Sequence, residues 1–219
     1  MKRWRAGRAA ALLAVVAMLG GTVLLSAERA DAQGKVQKVS KKLLDRAEDT
    51  LKKIGEAEKQ LDTTTDRYGK LIDGKNVKTR RKELGKVRDE LKKLEKRAKD
   101  VREHSRDMEK EASKFFKEWD KGLDKIKDAE LRSLSRQSLT ESQQEYGHIV
   151  TAGRSAADQY DTYVATLGNQ LTYLELDMSD AAIEKLKSTN QDLRGEASEL
   201  ESRINGFKGE IQGYTTALQ

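Results

Sequence analysis

The sequence predicts an all-α protein, an elongated antiparallel coiled coil or four-long-helix bundle. Three observations lead there. No proline occurs in 219 residues, and proline is the residue that breaks helix interiors. Apolar side chains return at alternating three- and four-residue steps for most of that length. That is the spacing of helices that wrap around one another. Charged residues make up 37% and aromatics 5%, a balance found in coiled coils rather than compact globules.

The amino terminus reads as a targeting segment over residues 1–32. Lys2, Arg3, Arg5 and Arg8 form a basic region, and the run Ala9 to Ala27 carries no charge. Ala30-Asp31-Ala32 then offers a signal peptidase site, which predicts cleavage after Ala32. The competing reading is an uncleaved membrane anchor, because the apolar run approaches the roughly 20 residues needed to span a bilayer. Either reading places the body, residues 33–219, outside the cytoplasm in the periplasm or cell envelope. That body is expected to be a single elongated helical domain.

Four helices are predicted, at about 40–72, 77–129, 134–176 and 180–218. In the first, Ala47, Ile54, Leu61 and Tyr68 lie seven apart, and Asp73-Gly74-Lys75-Asn76 marks the following turn. The second has the sharpest repeat. One heptad position runs Leu84, Leu91, Ala98, Ser105, Ala112, Trp119, Ile126, and the other runs Val87, Leu94, Val101, Met108, Phe115, Gly122, Ala129. The third follows a register slip near Asp128 to Ser135, where Asp128 and Ser133 are candidate caps. Its seam holds Leu139, Tyr146, Tyr160, Tyr163, Leu167 and Leu174. The fourth is capped by Ser179 or Asp180 and carries a seam from Ile183 to Leu218. Asn190 breaks that apolar seam and is the expected register-setting residue. Gly206, Gly209 and Gly213 share one face, which would admit a close neighbouring backbone or mark a frayed end. Short links make sequential helices antiparallel neighbours. Unequal helix lengths would leave part of a seam open for self-association or a partner.

Charge is unevenly distributed. Residues 33–116 hold 26 basic and 17 acidic side chains, and residues 117–219 hold 12 and 18. The two halves can therefore pair when helices fold back. The run 75–102, with 13 basic and five acidic residues, is the exception worth testing as a ligand surface. Its candidate polyanion contacts are Lys78, Arg80, Arg81, Lys82, Lys86, Arg88, Lys92, Lys93, Lys96 and Arg97. Anionic lipid or cell-wall polymer would be the ligand outside the cytoplasm; nucleic acid is not expected there. Phe116, just off the seam beside Phe115 and Trp119, is the candidate partner contact.

Nothing in the chain assembles into a chemical site. With no cysteine, disulfides, thiolate metal sites and cysteine catalysis are excluded. His104 and His148 stand far apart, neither in a ligand spacing. There is no phosphate loop and no nucleophile elbow. No catalytic residue, metal or cofactor is expected. The sequence points to an exported, non-catalytic scaffold or tether working through helix–helix association. A periplasmic holdase chaperone and an anionic-surface binder acting through 75–102 are the alternatives.

The stretch Phe115-Phe116-Lys117-Glu118-Trp119, then Leu131-Arg132, Ser135, Leu139 and Tyr146, resembles a bacterial envelope family, domain of unknown function 2959. The run Leu167-Gly168-Asn169-Gln170-Leu171-Thr172-Tyr173-Leu174 strengthens the likeness, which extends over roughly Leu43 to Leu218. The resemblance implies an exported or lipid-anchored helical protein with no established activity. The chain departs from that pattern in lacking an anchoring cysteine. It also has Glu175-Leu176 where a basic pair commonly follows the Tyr-Leu, and no proline in the third segment.

Overall fold

A computed structural model describes the chain over residues 27–219, with side chains from residue 33 onward. The basic and uncharged parts of the leader therefore lie outside the described residues. Four helices account for nearly all of the rest: α1 (Ala27–Ile72), α2 (Val77–Leu123), α3 (Ala129–Leu176) and α4 (Asp180–Leu218). Three bounds differ from expectation, one being the start of α3 at Ala129 rather than 134. Helix α1 is already formed at Ala27, the first described residue, rather than beginning near Ser40, since nothing between the two breaks the helix. Helix α2 stops at Leu123 rather than 129. Its last turn tightens, with the amides of Lys125 and Ile126 donating to the carbonyls of Gly122 and Leu123 at 3.1 Å each. Ile126 and Ala129 thus fall outside α2.

The starts of α2, α3 and α4 have identifiable chemistry. Asp128 starts α3 by accepting the amides of Glu130 and Leu131 at 2.9 and 3.0 Å. Ser179 caps α4 by accepting the amide of Ala182 at 3.2 Å, and Asp177 in turn accepts the amide of Ser179 at 2.9 Å. That bond holds the Asp177 carboxyl below its ordinary range. Asn76 accepts the amide of Thr79 at 2.9 Å at the start of α2.

The described residues sort into two compact units, each drawing on all four helices. The first takes residues 27–51, 103–150 and 209–219, and the second takes 52–102 and 151–208. In the second unit the interhelix contacts order the helices. Glu56 meets Arg97 and Gln60 meets Glu90, Arg102 meets Asp161 and Arg88 meets Glu175, Thr166 meets Glu196, and Lys208 meets Glu58. In each of the first two pairings, numbers rise on one helix as they fall on its neighbour, which makes the neighbours antiparallel. The core of this unit joins Leu61, Tyr68, Leu71, Val87, Leu94, Tyr163, Leu167, Leu171, Ile183, Leu193 and Leu200. Each such apolar side chain contributes roughly 1.5–3 kcal/mol by leaving water.

The first unit is richer in aromatic and hydroxyl groups. Phe115, Trp119, Tyr146 and Tyr214 are buried together with Leu43, Met108, Leu123, Leu139 and Ile149. Phe115 lies 5.4 Å from Trp119 between ring centres, and Tyr146 lies edge-on to Tyr214 at 5.6 Å. Two of the polar ends have partners: Trp119 Nε1 donates to Ser135 at 3.2 Å, and the hydroxyls of Ser142 and Tyr214 meet at 3.0 Å. Helix α4 is ordered into this unit to its end, since Ile211, Tyr214 and Ala217 are all buried. It is not a frayed terminus.

Candidate functional site

The basic run on α2 is the feature that the fold resolves most clearly, because it separates the cations by role. The arginines tie helices together. Arg80 is buried; its Nε donates to the Gly74 carbonyl at 2.7 Å and its Nη1 to Asp180 at 2.6 Å. It therefore links the α1–α2 turn to the start of α4. Arg88 pairs with Glu175 on α3 at 2.5 Å, and Arg97 with Glu56 on α1 at 2.8 Å. Just beyond them, Arg102 pairs with Asp161 and stands over the Tyr160 ring. Two lysines, Lys86 and Lys93, bind Glu83 and Glu90 one turn back, at 2.6 and 3.1 Å. The lysine on Glu83 and Gln60 on Glu90 are the main reasons those carboxyls sit below their ordinary range.

The other five expected contacts behave differently. Lys78, Arg81, Lys82, Lys92 and Lys96 are exposed. Among the described residues their side chains make no hydrogen bond and no ion pair. The planar arginine fork suits fixed bridges between helices, whereas lysine is a compact, strongly hydrated point charge on a flexible stem. The division of labour in α2 follows that chemistry, with Arg81 as the exception. Of the ten expected contacts, then, Arg80, Lys86, Arg88, Lys93 and Arg97 serve the fold itself.

Phe116 packs inside the first unit rather than standing clear of it. It is half-buried, with its ring 5.5 Å from Phe115 and edge-on to Tyr146 at 5.8 Å. Asn190 is half-buried between Leu186 and Leu193 on α4 and makes no side-chain hydrogen bond among the described residues. The work of a polar layer falls to residues the sequence did not single out. In the second unit the hydroxyls of Thr65 and Tyr163 meet at 2.8 Å, and Tyr68 donates to Gln170. Burial raises the phenol of Tyr68 far above its ordinary value, and raises that of Tyr163 to about 12. Of the threonine run Thr63-Thr64-Thr65, only Thr65 meets a tyrosine, while Thr64 bonds the Gln60 and Glu90 carbonyls.

The apolar seam closes on itself. Among the described residues, large apolar side chains are exposed only at Val77, Leu131, Leu134 and Leu176, so the expected open seam is not present. No group of histidines and carboxylates among the described residues is arranged to hold a metal. Among them too, no helix is long and apolar enough to cross a membrane.

The fold and its surfaces define a class: an all-α protein of long, sequentially packed helices with a charged exterior and a closed core. The chain belongs to the family described as protein of unknown function (DUF2959), whose model matches residues 32–212. No curated protein matches it, and neither does any solved structure.

Proposed function

We propose that this is an exported, non-catalytic protein of the bacterial cell envelope that acts as a scaffold or tether, binding other molecules on its outer helix faces. One observation carries the reading. The seam residues of all four helices are consumed in the interiors of the two units, which leaves polar and charged outer faces as the surface available for work. Association therefore involves surfaces outside the heptad seam, through a protein partner or a second copy. The basic n-region, uncharged run and Ala30-Asp31-Ala32 support export. A holdase role has less support, because such chaperones need a broad apolar surface and the four large apolar side chains exposed among the described residues do not supply one.

Photocrosslinking in intact cells tests this reading. A crosslinking residue is placed at exposed positions such as Thr172 on α3 and Ser202 on α4. Discrete adducts of fixed mass, with the protein recovered in the periplasmic or envelope fraction, are the expected result. A chain recovered from the cytoplasm, or one giving no adduct from any outer face, overturns it.

A further inference from the structure

We infer that the outer face of α2 from Lys78 to Lys96 is a docking surface for an anionic lipid bilayer. The inference rests on the proposed function only in holding that an outer surface does the work. Lys78, Lys82, Lys92 and Lys96, with Arg81 beside them, fall on one face of the helix by their spacing. They cover about 27 Å of its length at the α-helical rise. All five are exposed, and none has a partner among the described residues. Their neighbours Arg80, Arg88 and Arg97 have been drawn into bridges to Asp180, Glu175 and Glu56. Bridging to carboxylates on α1, α3 and α4 thus uses up Arg80, Arg88 and Arg97 and leaves the stripe of Lys78, Arg81, Lys82, Lys92 and Lys96 unbridged.

Three features select a bilayer over a linear polyanion. The stripe is two clusters, Lys78-Arg81-Lys82 and Lys92-Lys96, and the exposed Asp89 lies between them on the same face. Mobile headgroups can gather under each cluster and leave the carboxylate unmatched, whereas a covalent polyanion must carry its charge past it. The contacts are mostly ammonium groups, which attract headgroups diffusely rather than by a bidentate fork. The uncharged run Ala9 to Ala27, read as an export signal or anchor, would bring the chain to a membrane in the first place. The stripe holds no apolar or aromatic residue, so attachment depends on charge alone and weakens as salt shortens the screening length.

Vesicle co-sedimentation of the full chain tests this. Vesicles of phosphatidylcholine alone are compared with vesicles holding about 30% phosphatidylglycerol, at low and high salt. The test variant combines Lys78→Glu, Lys82→Glu, Lys92→Glu and Lys96→Glu. The charge-matched control combines Lys41→Glu, Lys42→Glu, Lys52→Glu and Lys59→Glu, all exposed positions on α1. Helical circular dichroism confirms that both fold. Association through the uncharged run persists at high salt and is read as the floor. Above that floor, the expected result is binding only to anionic vesicles, abolished by salt, and weakened more than about tenfold by the α2 variant but not by the control. Equal loss in both variants, equal binding to neutral vesicles, or binding of inorganic polyphosphate in place of vesicles each overturns the inference. None of these outcomes touches the crosslinking result.

Discussion

The hydroxyl groups of Thr65 and Tyr163 meet at 2.8 Å in the second unit, joining α1 to α3 beside the Tyr68–Gln170 bond. Either oxygen can donate. Removing one leaves the other to find a new partner in a dry setting. Tyr163→Phe is expected to cost about 1 kcal/mol in urea unfolding. Adding Thr65→Val should recover part of that loss, because both polar partners are then gone. A double variant as unstable as the sum of the singles would show that the pair is not coupled.

Arg80 holds two loops of structure with one guanidinium, and the same atoms fix what can replace it. Arg80→Ala is expected to cost about 2 kcal/mol, in the range for hydrogen bonds made by charged groups. Arg80→Lys should recover little, since an ammonium cannot reach both the Gly74 carbonyl and Asp180 with the arginine fork. Gly74 shares the constraint: a Cβ there would lie 2.8 Å from the Arg80 side chain. Gly74→Ala is therefore expected to destabilise too, and its effect should shrink when Arg80 is already alanine. Thermal melts of the four proteins in the cycle check this.

Glycines of α3 and α4 should respond in opposite directions. A Cβ at Gly153 would stand 3.1 Å from the Phe207 ring, tighter than ordinary contact. At Gly206 and Gly209 an added Cβ meets nothing within 4 Å. Gly153→Ala is expected to lower stability by about 1–3 kcal/mol through overpacking. Gly206→Ala and Gly209→Ala should each raise it by up to about 1 kcal/mol, the helix preference of alanine over glycine. Calorimetric midpoints in the three variants decide the signs.

Glu201 on α4 gives the fold a pH dependence of the less common sign. Burial, then the hydrogen bond and charge of Asp62, with Glu58 beyond, raise its carboxyl above the ordinary range. A carboxyl raised in the folded state favours the protonated form there. Its contribution is present at acid pH and is lost as pH rises through the raised value. Glu201→Gln should therefore be more stable than the parent near neutral pH, by less than about 1 kcal/mol because solvent still screens this half-buried group. The difference should vanish near pH 4. A variant less stable than the parent at neutral pH would contradict the carboxyl–carboxylate arrangement.

Much of the fold is written in the heptads. Ala47, Ile54, Leu61 and Tyr68 are all buried, as are Leu139, Tyr146, Leu167 and Leu174, because a seven-residue repeat in a proline-free chain leaves one face no alternative. Helix ends were harder. The stop of α2 depends on the tightening at Gly122 and Leu123, which no single residue type announces. The open seam predicted from unequal lengths did not appear among the described residues, where large apolar side chains are exposed only at Val77, Leu131, Leu134 and Leu176. The roles of the α2 cations were half legible. Outward spacing marks Lys78, Lys82, Lys92 and Lys96, but choosing Arg80, Arg88 and Arg97 as bridges requires knowing which carboxylates α1, α3 and α4 set opposite them. Phe116 shows the same limit: a position just off the seam reads as exposed until Tyr146 is brought against it.

Because both units are stitched from pieces of every helix, no contiguous stretch of the polypeptide encodes either of them. Expressing the α1–α2 hairpin by itself would deliver half of each and the whole of neither. Dissecting this protein therefore calls for point substitutions or paired internal deletions, and the order of its helices cannot be shuffled one unit at a time.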